Sequence, residues 1–229
     1  MQEEPAAAAW GVRGRHENLW PARVAIVFTA ALYFTLPDRL TIGPTWLLPA
    51  LEAALLVGLT VMAPIRHTRE RMVQRLLSFV LIILINLANI SSLVLLIAAL
   101  LHHGVAFQGR PLDGQTLLMA SLQIWLTNIL VFSLWYWHLD RGGPFARRLS
   151  HHREPDFLFA QMSTPGCTNP HWAPHFVDYL YLSFTNATAF SPTDTLPLTP
   201  WAKLLMMVQA LASLLTVALV AARAVNILT

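Results

Sequence analysis

Of the 229 residues, 55% are hydrophobic and only 12% are charged, against roughly 25% charged in an average soluble domain. The mean hydropathy is +0.52. The net charge of +3 is small and scattered, and no basic run is interleaved with aromatics, which excludes a nucleic-acid binder and leaves an integral membrane protein.

Residues 1–21 read as an N-terminal polar segment. They contain no apolar stretch of the signal-peptide kind, so the first helix is expected to target the chain. Five apolar runs follow, at 22–37, 45–63, 76–101, 115–138 and 201–222. A bilayer core takes ~20 helical residues, so the last four are long enough and the first sits at the lower limit. The first three runs form a peripheral group over 22–104, and residues 115–229 form a second module. In that module an outer helix (115–138) leads into a long loop (139–173), a short helix (174–188), a second loop (189–200) and an inner helix (201–222). The predicted fold is an all-α membrane protein of about five transmembrane helices plus one short re-entrant helix.

Glu52 is the one carboxylate inside a long apolar run. An acid in the membrane is by default a candidate proton or cation site, though Glu52 is also near enough to the N-cap candidate Thr45 to favour the positive end of its helix. The stretch LWYWHLDRGGP places Trp135, Tyr136 and Trp137 at a span end, where aromatic belts form, and Asp140 and Arg141 are expected to pair there at the surface. Gly142, Gly143 and Pro144 then stop the helix.

The single cysteine, Cys167, precludes an intrachain disulfide. Cys167, His171 and His175 are spaced by four, with Asp178 beyond, and their donor types suit zinc. Pro170 and Pro174 interrupt any helix there, so the spacing does not put them on one face, and the expectation is a solvated loop with no metal and no cofactor. His102, His103, His151 and His152 are read as interface or loop histidines.

After Pro174, Phe176, Tyr179, Leu180, Ser183 and Phe184 recur at helical spacing. A helix of about 14 residues that ends near Thr188 is too short to cross a bilayer and too apolar for a solvated loop. Irregular backbone follows at once, and at membrane depth this is tolerated only inside protein or beside water.

The segment SFTNATAFSPTDTLPLTPWAK, starting at Ser183, resembles the pore region of potassium channels, whose pattern runs S-x-E-T-A-T-T-V-G-Y-G-D-x-x-P-x-T-x-W-x-R. Ser183, Ala187, Thr188, Asp194, Pro197, Thr199 and Trp201 match without a gap, and Lys203 stands for the arginine. The likeness covers about a fifth of the chain. It implies a homotetramer with a pore helix, a filter and an inner helix around a permeant cation. The chain also resembles uncharacterised bacterial channel-like membrane proteins, which implies a plasma (bacterial inner) membrane location.

The filter departs from the family. Ala189, Phe190, Ser191, Pro192 and Thr193 replace TVGYG, so both glycines are missing. Potassium filters turn successive carbonyls inward, a geometry that needs glycine at positive φ, whereas Pro192 fixes φ near −65°. High potassium selectivity is therefore not expected, and Thr188, Ser191, Thr193 and Asp194 become the candidate ion ligands. None of the first three spans carries the spaced arginines of a voltage sensor.

On the inner helix, Gln209, Ser213 and Thr216 form one polar stripe. Two readings fit it: the lining of a wet cavity in the tetramer, or hydrogen bonding between helices. Basic residues give a conflicting orientation. With five spans, twelve fall on the side of the N-terminus and of the long loop and three on the other, which places the filter loop in the cytoplasm, whereas potassium channels carry it outside. Three readings reconcile the two: the first run lies in the interface without crossing, the pore is inverted as in ionotropic glutamate receptors, or the long loop exceeds the ~60-residue length over which the bias holds. No nucleophile with its base and no phosphate-cradling loop is present, so an enzyme is not expected. The remaining alternatives are a non-conducting oligomeric scaffold and a proton-coupled carrier using Glu52.

Overall fold

The structure, a computed structural model, describes residues 18–61, 68–101, 114–144, 146–148, 154–164, 172–188 and 194–228. The fold is helical, as composition implies. The helices are α1 (Trp20–Phe34), α2 (Leu47–Val61), α3 (Thr68–Leu101), α4 (Gly114–Leu139), α5 (Ala160–Ser163), α6 (Phe176–Thr188) and α7 (Pro200–Leu228). Short 3-10 turns occupy Asp38–Leu40, Asp140–Gly142 and Ala146–Arg148. The strands among the described residues are β1 (Phe157–Leu158) and β2 (Leu196–Pro197), paired antiparallel with Phe157 opposite Pro197.

Among the described residues, three segments are long and apolar enough to cross a membrane: Arg75–Ala99, Gly114–Gly142 and Pro200–Ala221. They correspond to three of the five expected runs. Helix α1, at 15 residues, is shorter, and α2 reaches 15 residues where its described part ends. Asn18 accepts the Trp20 N–H at 3.0 Å, which satisfies one orphan donor at the start of α1.

By compactness the chain divides into one unit of Met1–Ala22 with Phe132–Leu211 and another of Arg23–Val131 with Ala212–Thr229. The boundaries fall inside α4 and α7. The second unit has an apolar core around Leu40, Leu96, Ala120 and Ile124, with Leu219 packed against it. Lipid tails are as apolar as these side chains, so close packing and hydrogen bonds hold helices together in a bilayer. Asn128 donates to Ser213 Oγ at 2.8 Å, and Gln123 donates to Thr35 Oγ1 at 2.9 Å.

In the first unit, α4 ends in a run of left-handed residues, Arg141 (φ 52°), Gly142 (φ 80°) and Gly143 (φ 95°). A Cβ at Gly143 would lie 3.0 Å from the His138 carbonyl oxygen, so glycine is needed there both for its conformation and for the close approach. The non-glycine Arg141 is held in this region by the contacts its neighbours make, described below.

Candidate functional site

Helix α6 begins where Pro174 predicts and is fixed by its own cap. The Asp178 carboxylate accepts the His175 N–H at 2.7 Å, one half of a capping box, and places an acid at the positive end of the helix. With 13 residues α6 is about 20 Å long, well short of a bilayer core. Its inner face is Phe176, Tyr179, Leu182, Ser183, Asn186 and Ala187, all buried. The expected face included Phe184, which is instead 48% exposed. Buried hydrogen-bond partners turn the helix toward Asn186.

Those partners lie on α4 and α7. Gln209 Nε2 donates to the Ser183 carbonyl at 2.9 Å and to Ser183 Oγ at 2.7 Å. Gln209 Oε1 accepts from the Tyr136 hydroxyl and from Asn186 Nδ2, and Asn186 also donates to the Met206 carbonyl at 3.0 Å. Gln209 thus joins three helices through one side-chain amide. Every arm of that amide is used, which is the condition under which a buried polar network holds a unique geometry.

A second cluster fastens the start of α6. Asp140, expected at the surface, has no exposed area, and Arg141 beside it is 3% exposed. Arg141 Nε meets Asp140 Oδ2 at 3.2 Å, the Tyr179 hydroxyl donates to the same oxygen, and the Asp156 N–H donates to Oδ1 at 2.9 Å. Asp156 in turn accepts the Arg141 N–H at 3.1 Å and the Thr199 hydroxyl at 2.7 Å. Thr199 precedes α7 and accepts the Ala202 N–H, so it caps that helix while being tied to Asp156. Arg147 donates to the Trp137 and Asp140 carbonyls and stacks over the Tyr179 ring at 5.3 Å. Burial pushes the Tyr179 phenol well above its ordinary range, while the Arg147 charge pulls the other way.

The pair is therefore buried, contrary to the exposed pairing expected from sequence, because the chain folds back over the end of α4. β1 and β2, on either side of α6 in sequence, close this return, and Leu198 N–H adds a bond to the Asp156 carbonyl at 2.9 Å.

The sequence-predicted site residues divide as follows. Thr188, at the end of α6, and Asp194 are exposed, while Ala189, Phe190, Ser191, Pro192 and Thr193 lie outside the described residues. Gln209, Ser213 and Thr216 are buried rather than open. Gln209 bonds Ser183 and Asn186, Ser213 accepts from Asn128, and Thr216 donates to its own helix at Ala212. Gln209 and Ser213 thus bond other helices, while Thr216 bonds within its own. Of the metal candidates, Cys167 and His171 lie outside the described residues and His175 is an exposed cap residue. Among the described residues no three metal-binding side chains come together. Glu52 is buried on α2.

Sequence reasoning missed Asn186 and Tyr179 as anchors and Asp156 as a hub. A signal existed for the first, since an amide on a short apolar helix needs a partner. None existed for Asp156, whose partner Thr199 lies 43 residues away. No protein-family model, no curated protein and no solved structure matches the chain.

Proposed function

We propose that the chain is one subunit of a potassium-channel-like, homotetrameric pore in the plasma (bacterial inner) membrane, with about five spans, passing cations with low potassium selectivity. The observation that carries this reading is the mounting of α6. A helix too short to cross a bilayer is bonded along its buried face to two helices that are long enough, through Gln209, Asn186, Tyr136 and Asp140. Such a mounting suits a helix whose job is to hold a loop at a set depth.

The negative end of the α6 dipole, at Thr188, favours a cation in front of it. Asp194 adds a carboxylate at the other end of the Ala189 to Thr193 loop. The sequence 189–193 has no glycine of the kind a stacked carbonyl cage requires, so hydroxyls and this acid would select by charge more than by ion size.

A specific observation also supports the non-conducting scaffold. Between Leu204 and Leu214 the uncovered face of α7 is apolar, with Leu204, Met207, Leu211 and Leu214 at or near half exposure or above, while Gln209, Ser213 and Thr216 are buried. An axis lined by such side chains closes by dewetting. The protein in liposomes separates the two readings: a pore gives cation flux that falls when Asp194→Asn is introduced, whereas absence of flux under any gradient supports the scaffold.

A further inference from the structure

The first turns of α2 expose apolar side chains and bury an acid. Of its side chains described, Leu47, Leu51 and Val57 are exposed at 50%, 41% and 61%, whereas Glu52 is 1% exposed. Leu48 and Pro49 are partly covered, and Ala50, Ala53 and Ala54 are exposed. Among the side chains described on this helix, the acid is the one fully buried. Apolar side chains outward and the acid inward is the arrangement of a membrane helix that carries its ionisable group toward the bundle.

Both carboxyl oxygens of Glu52 are buried and have no hydrogen-bond partner. Helix α3, which packs against α2, offers no charged residue between Leu76 and Leu101. Tyr33 on α1 is the titratable group near enough to feel a charge on Glu52. The 3-10 turn after α1, which contacts α3, carries Asp38 and Arg39. Glu70, Arg69, Arg71 and Arg75 belong to the first turns of α3, before the apolar stretch.

We propose that Glu52 is a proton-binding site of this unit, taking up a proton from water and returning it to water. Three physical points support it. An ionised carboxylate buried without a partner is among the most costly arrangements in a protein, and adding one proton removes the charge. A hard metal cation requires several oxygen ligands at once, and among the described residues no group of three metal-binding side chains includes this carboxyl. A merely structural acid would be bonded, as Asp140 is. The site does not depend on the pore reading and stands equally in a scaffold.

The test uses the full-length protein in lipid nanodiscs. Dicyclohexylcarbodiimide, an apolar reagent that attacks protonated carboxyls, is expected to label Glu52, as read by peptide mass mapping, with labelling lost progressively as the pH is raised. The water-soluble carbodiimide should leave Glu52 unmodified. Infrared spectra should show a protonated-acid carbonyl band that disappears on alkaline titration, is absent in Glu52→Gln and persists, displaced, in Glu52→Asp. Equal labelling by both reagents, no labelling at acid pH, or a protonated-acid band that does not titrate would each overturn the proposal. The labelling arms use the natural chain, so they hold even where a variant fails to fold.

Discussion

The unit built on Phe132–Leu211 and the unit built on Arg23–Val131 each bury an acid, and they treat it in opposite ways. Asp140 receives three donors: the Arg141 guanidinium, the Tyr179 hydroxyl and the Asp156 N–H. Glu52 receives none. Desolvation is severe for both, so the difference lies in what was assembled around them. A carboxylate with three donors is a fixed joint, because any motion of α4, α6 or the chain between them breaks a bond. A carboxyl with no donor restrains nothing, and its remaining freedom is to gain or lose a proton.

The largest effect that would break this contrast is Asp140→Ala. It removes the carboxylate beside the buried Arg141 charge, and losing one partner of a buried pair costs about 3–5 kcal/mol. A large fall in melting temperature in detergent checks it. The matching change Glu52→Gln leaves the melting temperature almost where it was, since no bond is lost. A large destabilisation by Glu52→Gln would mean that its carboxyl holds structure after all.

Next in size is Gln209→Leu, which removes every bond joining α6 to α7 through that side chain. Hydrogen bonds between membrane helices average about 0.6 kcal/mol with a maximum near 1.7, so the loss should be about 1–3 kcal/mol rather than the several that a count of bonds implies. The same substitution should increase cross-linking or protease access after Thr188, because the C-terminal half of α6 loses its bonds to Gln209.

Tyr179→Phe is smaller, about 0.5–1.5 kcal/mol for one hydrogen bond. It also has a pH signature. The folded phenol is raised above its unfolded value, so its neutral form is the one folding favours. Its contribution is fully present below pH ~10 and is lost as the pH rises through the folded value. Alkaline unfolding should therefore steepen in the natural chain and flatten in Tyr179→Phe. Smallest is Ser213→Ala, which removes the Asn128 bond in the other unit and should cost about 0.6 kcal/mol.

Several parts of this arrangement were legible in the chain. Apolar runs at 76–101, 115–138 and 201–222 mark the three long spans, and Pro174 with Asp178 marks the start of the short helix to within two residues. Thr199 was visible through a resemblance, but its function as a cap tied to Asp156 was not. The same holds for Ser183, whose hydroxyl and carbonyl both bond Gln209.

Periodicity and composition are local properties, and by themselves they determined that this chain is helical, apolar along five runs, and interrupted by one helix too short to cross a bilayer. Which way each polar residue points was decided only by the tertiary structure. The stripe Gln209, Ser213 and Thr216 has the same spacing whether it faces water or protein, and Asp140 with Arg141 has the same sequence whether exposed or buried. Burial depends on what arrives from elsewhere in the chain: the return over the end of α4 covers Asp140, and the face of α6 supplies Ser183 and Asn186 to Gln209. Glu52 lies between the two cases, since its rarity in an apolar run marks it, but only the packing of its helix shows that it faces inward and alone.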